Sequence, residues 1–85
     1  MSLNQVLTVT GTGVVTTDFV TIRHIHWYYP TASAGFVLKD SSDVEILKDY
    51  TTTAGTSELY EDIDMGWNGL NCTQLDGGTL YIYLG

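Results

Sequence analysis

The sequence has little positive charge. Three of its 85 residues are Lys or Arg, ten are Asp or Glu, and the formal net charge at pH 7 is −7. Proteins that bind nucleic acids carry basic surfaces that neutralise phosphates, and anionic membranes attract basic segments for the same reason. We therefore expect neither nucleic acid nor a membrane among the partners. The acidity is typical of a soluble surface and would also suit a basic patch on a partner protein.

Cysteine is scarce as well, since Cys72 is the only one. A single cysteine excludes a disulfide within the chain and a zinc site built from paired cysteines. A catalytic thiol is usually activated by positive neighbours, whereas the nearest charged residue in the sequence is Asp76. We expect Cys72 to be a small buried hydrophobic residue.

Long apolar runs are also missing. No run approaches the roughly 18 apolar residues of a membrane-spanning helix, and residues 1–5 lack the charged and apolar regions of a secretory signal. Hydrophobic residues make up 44% of the chain and aromatic residues 12%, which argues against disorder. We expect one β domain over residues 1–85, made in a cytoplasm, with a thin core that self-association could reinforce.

The sequence does contain a series of short runs of β-branched and aromatic residues, separated by turn residues about every 8–12 positions. This pattern predicts an all-β fold, namely a single antiparallel β-sandwich or jelly-roll-like barrel of seven to eight short strands. Val14–Thr16 could add a short edge strand, and residues 65–69 are expected to form a turn. The predicted strands are Val6–Thr10, Phe19–Tyr29, Phe36–Lys39, Val44–Tyr50, Glu58–Ile63, Leu70–Leu75 and Thr79–Leu84.

The longest predicted strand, Phe19–Tyr29, has apolar residues on both faces. Simple alternation places Ile25 and Trp27 on one face and Ile22 and Tyr28 on the other. A β-bulge near His24 would switch the face that points inward. Alternatively, both faces are covered, the second one by another copy of the chain. Both explanations remain open at this point.

His24 and His26 share one face of this strand, about 6.6–7 Å apart along it, a spacing compatible with two ligands of one metal ion. Metal sites normally need three or four ligands, and no third ligand is spaced nearby in the sequence. We expect polar or interfacial histidines and no metal site. The alternative is a site completed around a threefold axis by one histidine from each subunit.

No pattern of a catalytic site or a cofactor site is present. The carboxylates Glu58, Glu61, Asp62 and Asp64 do not match the spacing of a calcium loop, and such a charge run is typical of a solvated strand face. The sequence has no nucleophile elbow and no glycine loop that would cradle a phosphate. We expect no enzymatic activity, no catalytic residues and no cofactor.

The aromatic residues have two possible roles: they supply the large buried areas that the core of a small sandwich needs, or they form a surface that stacks on sugar rings or anchors a protein interface. Tyr81 and Tyr83 lie on one face of the last predicted strand, opposite Leu80, Ile82 and Leu84. If the aliphatic face is core, the two tyrosines form a strip that is free for an interface. Trp67, between glycines, is expected to cover one end of the core. The interface candidates are His24, His26, Tyr28, Trp67, Tyr81 and Tyr83.

Four segments together carry a resemblance to a known class: Val20–Trp27, Phe36–Asp40, Trp67–Leu70 and Leu75–Leu84. In their order and composition they resemble small all-β structural proteins of tailed bacteriophage particles. The resemblance implies a virion component made in the host cytoplasm, specifically a capsid decoration (cement) protein. Such a protein would bind the major capsid protein lattice as a homo-oligomer, typically a trimer. It implies no catalytic residues.

A second hypothesis belongs to a different class. The aromatic strip and the Thr- and Asn-rich loops would also suit a carbohydrate-binding or accessory module of a phage tail or fibre. Binding to a glycan array would favour this second hypothesis, whereas co-sedimentation with particles that lack the protein would favour the first.

Overall fold

The computed structural model describes residues 5–30, 33–53, 55–61, 63 and 65–85. Within them the chain forms antiparallel β-strands and no helix, so none of the described residues belongs to a helix that could cross a membrane. The predicted all-β antiparallel fold is confirmed. The seven strands of the described residues are β1 (Val6–Val9), β2 (Gly13–Tyr29), β3 (Ala34–Lys39), β4 (Glu45–Thr51), β5 (Thr56–Tyr60), β6 (Met65–Leu75) and β7 (Thr79–Leu84).

The strands form one hydrogen-bonded sheet in the order β1-β7-β2-β6-β3-β4, with β5 also paired to β2. The first part of β2 pairs with β6, and its second part pairs with β7 and β5. Strand β6 likewise pairs first with β2 and then with β3. Because β2 and β6 are each shared in this way, the sheet folds over into two layers. Among the described residues β1 and β4 do not pair with each other, so the fold is an open sandwich rather than a closed barrel.

The core lies between the two layers. The rings of Trp27 on β2 and Phe36 on β3 meet edge to face, with centroids 4.7 Å apart, and the Trp27 Nε1–H donates to the Gly77 carbonyl at 3.4 Å. Contacts of this type hold one layer against the other and satisfy the only polar atom of the buried indole. The buried core residues are Val9, Ile22, Ile25, Trp27, Tyr29, Ala34, Phe36, Leu38, Leu70, Cys72, Leu80 and Ile82.

A bulge in β2 explains why the strand is apolar on both faces. The pairing of β2 with β7 shifts register between Ile22 and His24. As a result Ile22 is buried before the shift, Ile25 and Trp27 are buried after it, and His24 and His26 point away from the core. The bulge near His24 is therefore the correct explanation: one core covers Ile22, Ile25 and Trp27, while Tyr28 stays 44% exposed on the outward face.

Several predicted boundaries were wrong. Strand β3 begins at Ala34 rather than Phe36, and β5 spans Thr56–Tyr60 rather than Glu58–Ile63, because its pairing with β2 runs from Thr56 to Tyr60. The two largest errors concern β2 and β6. Strand β2 begins at Gly13 rather than Phe19, so Val14–Thr16 belongs to it, and β6 begins at Met65, where a turn was expected. Both corrections have one cause: residues 65–72 pair with residues 13–22. Gly69, with a φ of 83°, and the register shifts in this ladder absorb the irregularity that resembled a turn in the sequence.

The buried position of Cys72 gives a first prediction. Its side chain is fully buried on β6, as expected from the sequence, and burial raises the pKa of the thiol. The native protein should therefore react with a thiol-specific reagent at least ~100-fold more slowly than the protein in denaturant, because the thiolate is both scarce and shielded. Equal labelling rates in the two conditions would contradict this placement.

Candidate functional site

Five of the six predicted interface residues lie on one surface, the outward face of the layer formed by β1, β7, the second half of β2, and β5. We call it the aromatic–histidine face. Cross-strand pairing aligns its side chains in three rows. The members of the face, row by row, are Val6, Tyr83 and His24; Thr8, Tyr81, His26 and Leu59; and Thr79, Tyr28 and Ser57.

The centre of this face consists of two ring pairs. The His24 and Tyr83 rings have centroids 4.2 Å apart with an interplanar angle of 31°, and the His26 and Tyr81 rings are 5.9 Å apart at 33°. These four side chains are half-buried by one another, whereas Leu59 at the margin is 52% exposed. The aliphatic side of β7 faces the core, so the predicted division of that strand is confirmed.

Among the residues that the structure describes, no third metal ligand lies beside the two histidines. Within the described residues no group of three His, Cys, Asp or Glu side chains is placed to hold a metal ion. Of the acidic run, Glu58 and Glu61 are exposed, and Asp62 and Asp64 lie outside the described residues. Glu58 accepts a hydrogen bond from the Tyr29 hydroxyl at 3.2 Å, which ties β5 to β2.

Trp67 is not part of the aromatic–histidine face. It lies on β6 opposite Val20 and packs against the border of the core. Its indole N–H is buried without a hydrogen-bond partner among the described residues. Trp67 therefore acts as a packing residue at the layer boundary, as its expected role in covering the core suggested, and it does not join the other five candidates.

A second site lies on the opposite layer, in the outward face of β6, β3 and β4. It is a groove of about 450 Å³, and Tyr50 forms one wall with a side chain that is 59% exposed. We call it the Tyr50 groove. Cross-strand pairing places Gly35 opposite Tyr50, and Val37 opposite both Lys48 and Gln74. The residues that line it are Phe36, Val37, Lys48, Asp49, Tyr50 and Gln74, and Gly35 lies beneath Tyr50 and Gln74.

Gly35 is what makes room for this groove. A Cβ atom at this position would lie 3.0 Å from the Tyr50 ring, 3.2 Å from the Asp49 carbonyl and 3.4 Å from the Gln74 amide nitrogen. Such distances are tighter than ordinary van der Waals contact, so a side chain here would push the ring and the amide apart. The glycine thus lets an aromatic ring and an amide approach each other across the backbone of β3.

The polar groups of the groove are held by hydrogen bonds. The Gln74 amide donates to Asp76 at 2.7 Å, and the Asp76 backbone N–H donates to the Gly35 carbonyl at 2.9 Å. The Lys48 ammonium lies 3.9 Å from Glu45, with both side chains exposed, so it remains available to a ligand. A charged donor, an amide and a carboxylate therefore surround one exposed ring.

Asp49 connects the groove to the interior. Its carboxylate accepts hydrogen bonds from the Tyr50 backbone N–H at 2.7 Å and from the Tyr60 hydroxyl. Burial, followed by the hydrogen bond with Asp49, raises the pKa of Tyr60 well above its usual value. Tyr60 therefore stays a neutral donor at physiological pH, and the bond clasps β5 to β4 where the two layers meet.

The sequence interpretation did not include this groove. The pattern held one usable signal, a glycine within the β3 segment and an aromatic residue near the end of β4. A hairpin with a short turn brings two such residues together. The turn is stabilised by Asp40, whose carboxylate accepts hydrogen bonds from the backbone N–H groups of Ser42 and Val44 at 2.9 Å each. The contribution of Gln74 depends on the β3–β6 pairing, which is distant in sequence.

Comparison with known proteins gives no family. No family model matches the chain, and no curated protein matches it. Among solved structures, it is similar to a Streptococcus pneumoniae fucose binding module, SpX-3, with a TM-score of 0.48 and 8% identity over 94% of this chain and 71% of that one. Another S. pneumoniae fucose binding module gives a TM-score of 0.45 and 14% identity over 93% and 68% of the two chains. Likeness at this level does not establish a shared ligand.

Proposed function

We propose that this protein is a non-catalytic carbohydrate-binding protein and that a sugar ring occupies the Tyr50 groove. The observation that carries the proposal is the exposed Tyr50 ring in a groove that is also lined by the polar side chains of Lys48 and Gln74. A pyranose has an apolar face of C–H groups and a rim of hydroxyl groups that both donate and accept hydrogen bonds. The Tyr50 ring matches the first feature, and the polar walls match the second.

The walls of the groove offer complementary hydrogen-bonding groups. Of the lining side chains, Lys48 only donates, and Gln74 can donate and accept through its remaining N–H and its carbonyl oxygen. The Asp76 carboxylate, which lies beside the groove and holds Gln74, only accepts. Because Gln74 is already fixed by Asp76 at 2.7 Å, little side-chain freedom is lost when a ligand binds. Hydrogen bonds to charged groups are about twice as strong as neutral ones, which suits a shallow site.

The charge around the groove favours neutral sugars. Asp49, Asp76 and Glu45 lie in or beside it, Lys48 is its only cation among the described lining residues, and the chain as a whole carries −7. The negative electrostatic potential of these residues would repel an acidic sugar. We therefore expect neutral hexoses to bind more tightly than sialic or uronic acids.

The proposal includes no chemical step. Glycoside hydrolysis uses two carboxyl groups on opposite sides of the scissile bond. Of the described residues that line the groove, Asp49 is the only acid, and both of its oxygens already accept hydrogen bonds from Tyr50 and Tyr60. This arrangement supports binding without turnover.

A glycan array followed by calorimetric titration tests the proposal. Tyr50→Ala should weaken binding of the best array ligand at least tenfold, or about 1.4 kcal/mol, and Tyr50→Phe should stay within about threefold because the ring is retained. Gly35→Val should abolish binding, since its side chain would displace the Tyr50 ring and the Gln74 amide that line the groove. Tyr28→Ala, on the opposite layer, is the matched control and should bind normally. Failure to bind any glycan, or binding that is indifferent to Tyr50→Ala and Gly35→Val, would refute the proposal.

A virion role is the second candidate, and the distribution of charge favours it. The chain combines a net charge of −7 with one flat uncharged face. As a capsid decoration protein it would use the face to oligomerise, as a trimer in the form that the sequence resemblance implies, and its acidic surface to bind a basic patch of the major capsid protein lattice. Co-sedimentation with particles lacking the protein, weakened by salt, would support this role. No binding at low salt would refute it.

A further inference from the structure

We propose that the aromatic–histidine face is a self-association surface through which two copies of this protein pair back to back. The face and the Tyr50 groove lie on opposite layers, with the Trp27–Phe36 contact of the core between them. Pairing through the face therefore leaves both grooves exposed and pointing away from each other.

The composition of the face resembles an interface core. Its ten residues include three tyrosines, two histidines, one leucine and one valine, and none is Asp, Glu, Lys or Arg. Aromatic enrichment combined with depletion of charged residues distinguishes the cores of protein interfaces from other surfaces. The chain elsewhere carries ten acidic and three basic residues, and one of these, the exposed Arg23 in the bulge next to His24, borders the face. The uncharged area is therefore limited to the ten residues named above.

The distribution of charge on the molecule also indicates which partner fits the aromatic–histidine face. A partner attracted by opposite charge would dock on the acidic surface instead of this face. The matching surface must itself be flat, aromatic and uncharged, and a second copy supplies one. In a twofold contact the Tyr81 and Tyr83 hydroxyls of one copy can meet the His24 and His26 nitrogens of the other, because both donors and acceptors are present on the same patch.

The size of the face sets the strength of the contact. Four strands about 4.8 Å apart and three rows about 6.8 Å apart cover on the order of 400 Å² per copy. Stable complexes bury about 800 Å² per partner, and smaller contacts are transient. We therefore expect a weak and transient pair.

The consequence concerns binding to surfaces, and this part rests on the proposed carbohydrate binding. A pair whose two grooves point away from each other can bind two separate glycan-bearing surfaces at once and so crosslink them, but its geometry does not let both grooves reach one flat surface. Free sugars in solution would gain nothing from pairing.

Analytical ultracentrifugation of the full chain from about 10 μM to about 1 mM tests the pairing. The mass should rise from 9.4 kDa towards twice that value. Leu59→Asp and Tyr81→Lys place a charge on the face and should each weaken association at least tenfold, while circular dichroism shows that the fold is kept. Tyr50→Ala, on the other layer, should associate like the wild type. A wild type that stays monomeric at the highest concentration, a trimer in place of the pair, or association unchanged by both charged variants would overturn the proposal.

The two proposals fail separately. If the wild type pairs but binds no glycan, the carbohydrate function falls and the self-association stands. The wild type could instead bind a soluble sugar, with an affinity that Leu59→Asp leaves unchanged, and remain a monomer at every concentration. In that case only the self-association proposal falls.

Discussion

Replacement of Ile82 by Ala is expected to lower the free energy of unfolding by about 2–5 kcal/mol, the range seen when a large aliphatic side chain is truncated in a packed core. Ile82 has no exposed surface, and its strand β7 lies between β1 and β2 with Leu7 and Ile25 as its cross-strand neighbours. Because strands on both sides hold β7, the core has little freedom to collapse into the cavity. The cost should lie in the upper half of that range.

Denaturant titration monitored by tryptophan fluorescence measures this cost. The free energy of unfolding of a domain of this size is about 5–10 kcal/mol, so a loss in the upper half of the range would leave much of the variant unfolded. Val14→Ala is the matched control, since Val14 is 68% exposed on β2 and its truncation should cost within about 0.5 kcal/mol. A loss below about 1 kcal/mol for Ile82→Ala would mean that Tyr81 and Tyr83 face the core instead.

The last strand shows what a sequence pattern can predict well. Residues Thr79–Leu84 were predicted with the correct bounds and the correct inward face, because every residue favours a strand and a glycine turn precedes it. The same alternation also predicts that the five interface candidates on the aromatic–histidine face point away from the core. Their assembly on one surface was harder to foresee, since it requires β7 to lie beside β2 in the observed register.

The misplaced boundaries show where local pattern fails. The Gly-Trp-Asn-Gly segment has the composition of a turn, yet Gly66 and Asn68 pair with β2. The ring of Phe19 lies over Gly66 and supplies the packing that the glycine lacks. Long-range pairing therefore overrides local preference at this point, and a single sequence contains no signal of which distant strand will supply it.

The Tyr50 groove was missed for a related reason. Gly35 and the Tyr50 ring come from neighbouring strands of one hairpin, but the Gln74 amide comes from β6. Register shifts interrupt both ladders, one between Leu38 and Lys39 and one between Val37 and Leu38. A one-residue change in either register would turn a groove residue towards the core, so the site becomes visible only once the pairings are known.

The opposite placement of the two surfaces constrains how the protein can act. A groove with an exposed ring and several polar groups suits a small polar ligand, whereas a flat uncharged face suits another protein surface. Because the core separates them, either one can be altered without touching the other. The Tyr50→Ala and Leu59→Asp variants therefore assign any binding activity to one layer.

Replacement of Gly78 by Ala is expected to destabilise the protein by about 3 kcal/mol, the sum of left-handed strain and overlap with a neighbouring backbone. Gly78 has a φ of 84° in the turn before β7, and a Cβ atom here would overlap the Tyr28 carbonyl oxygen of β2. Since the overlap is with backbone, relief requires β7 to move away from β2 at the pairing of Thr79 with Tyr28. The change would also disturb Gly77, whose carbonyl accepts the Trp27 N–H.

Gly55→Ala separates the two contributions to this cost. Gly55 has a comparable φ of 75°, but a Cβ atom there would meet no described atom within 4 Å. It should therefore cost only the left-handed strain, about 1–2 kcal/mol, partly offset by about 0.4–1 kcal/mol because alanine restricts the unfolded chain. Denaturant titration of both variants gives the difference directly. Equal costs would mean that the turn before β7 is not in close contact with the Tyr28 carbonyl of β2. The pairing of Thr79 with Tyr28, at the margin of the aromatic–histidine face, would then be less tightly packed than in the structure.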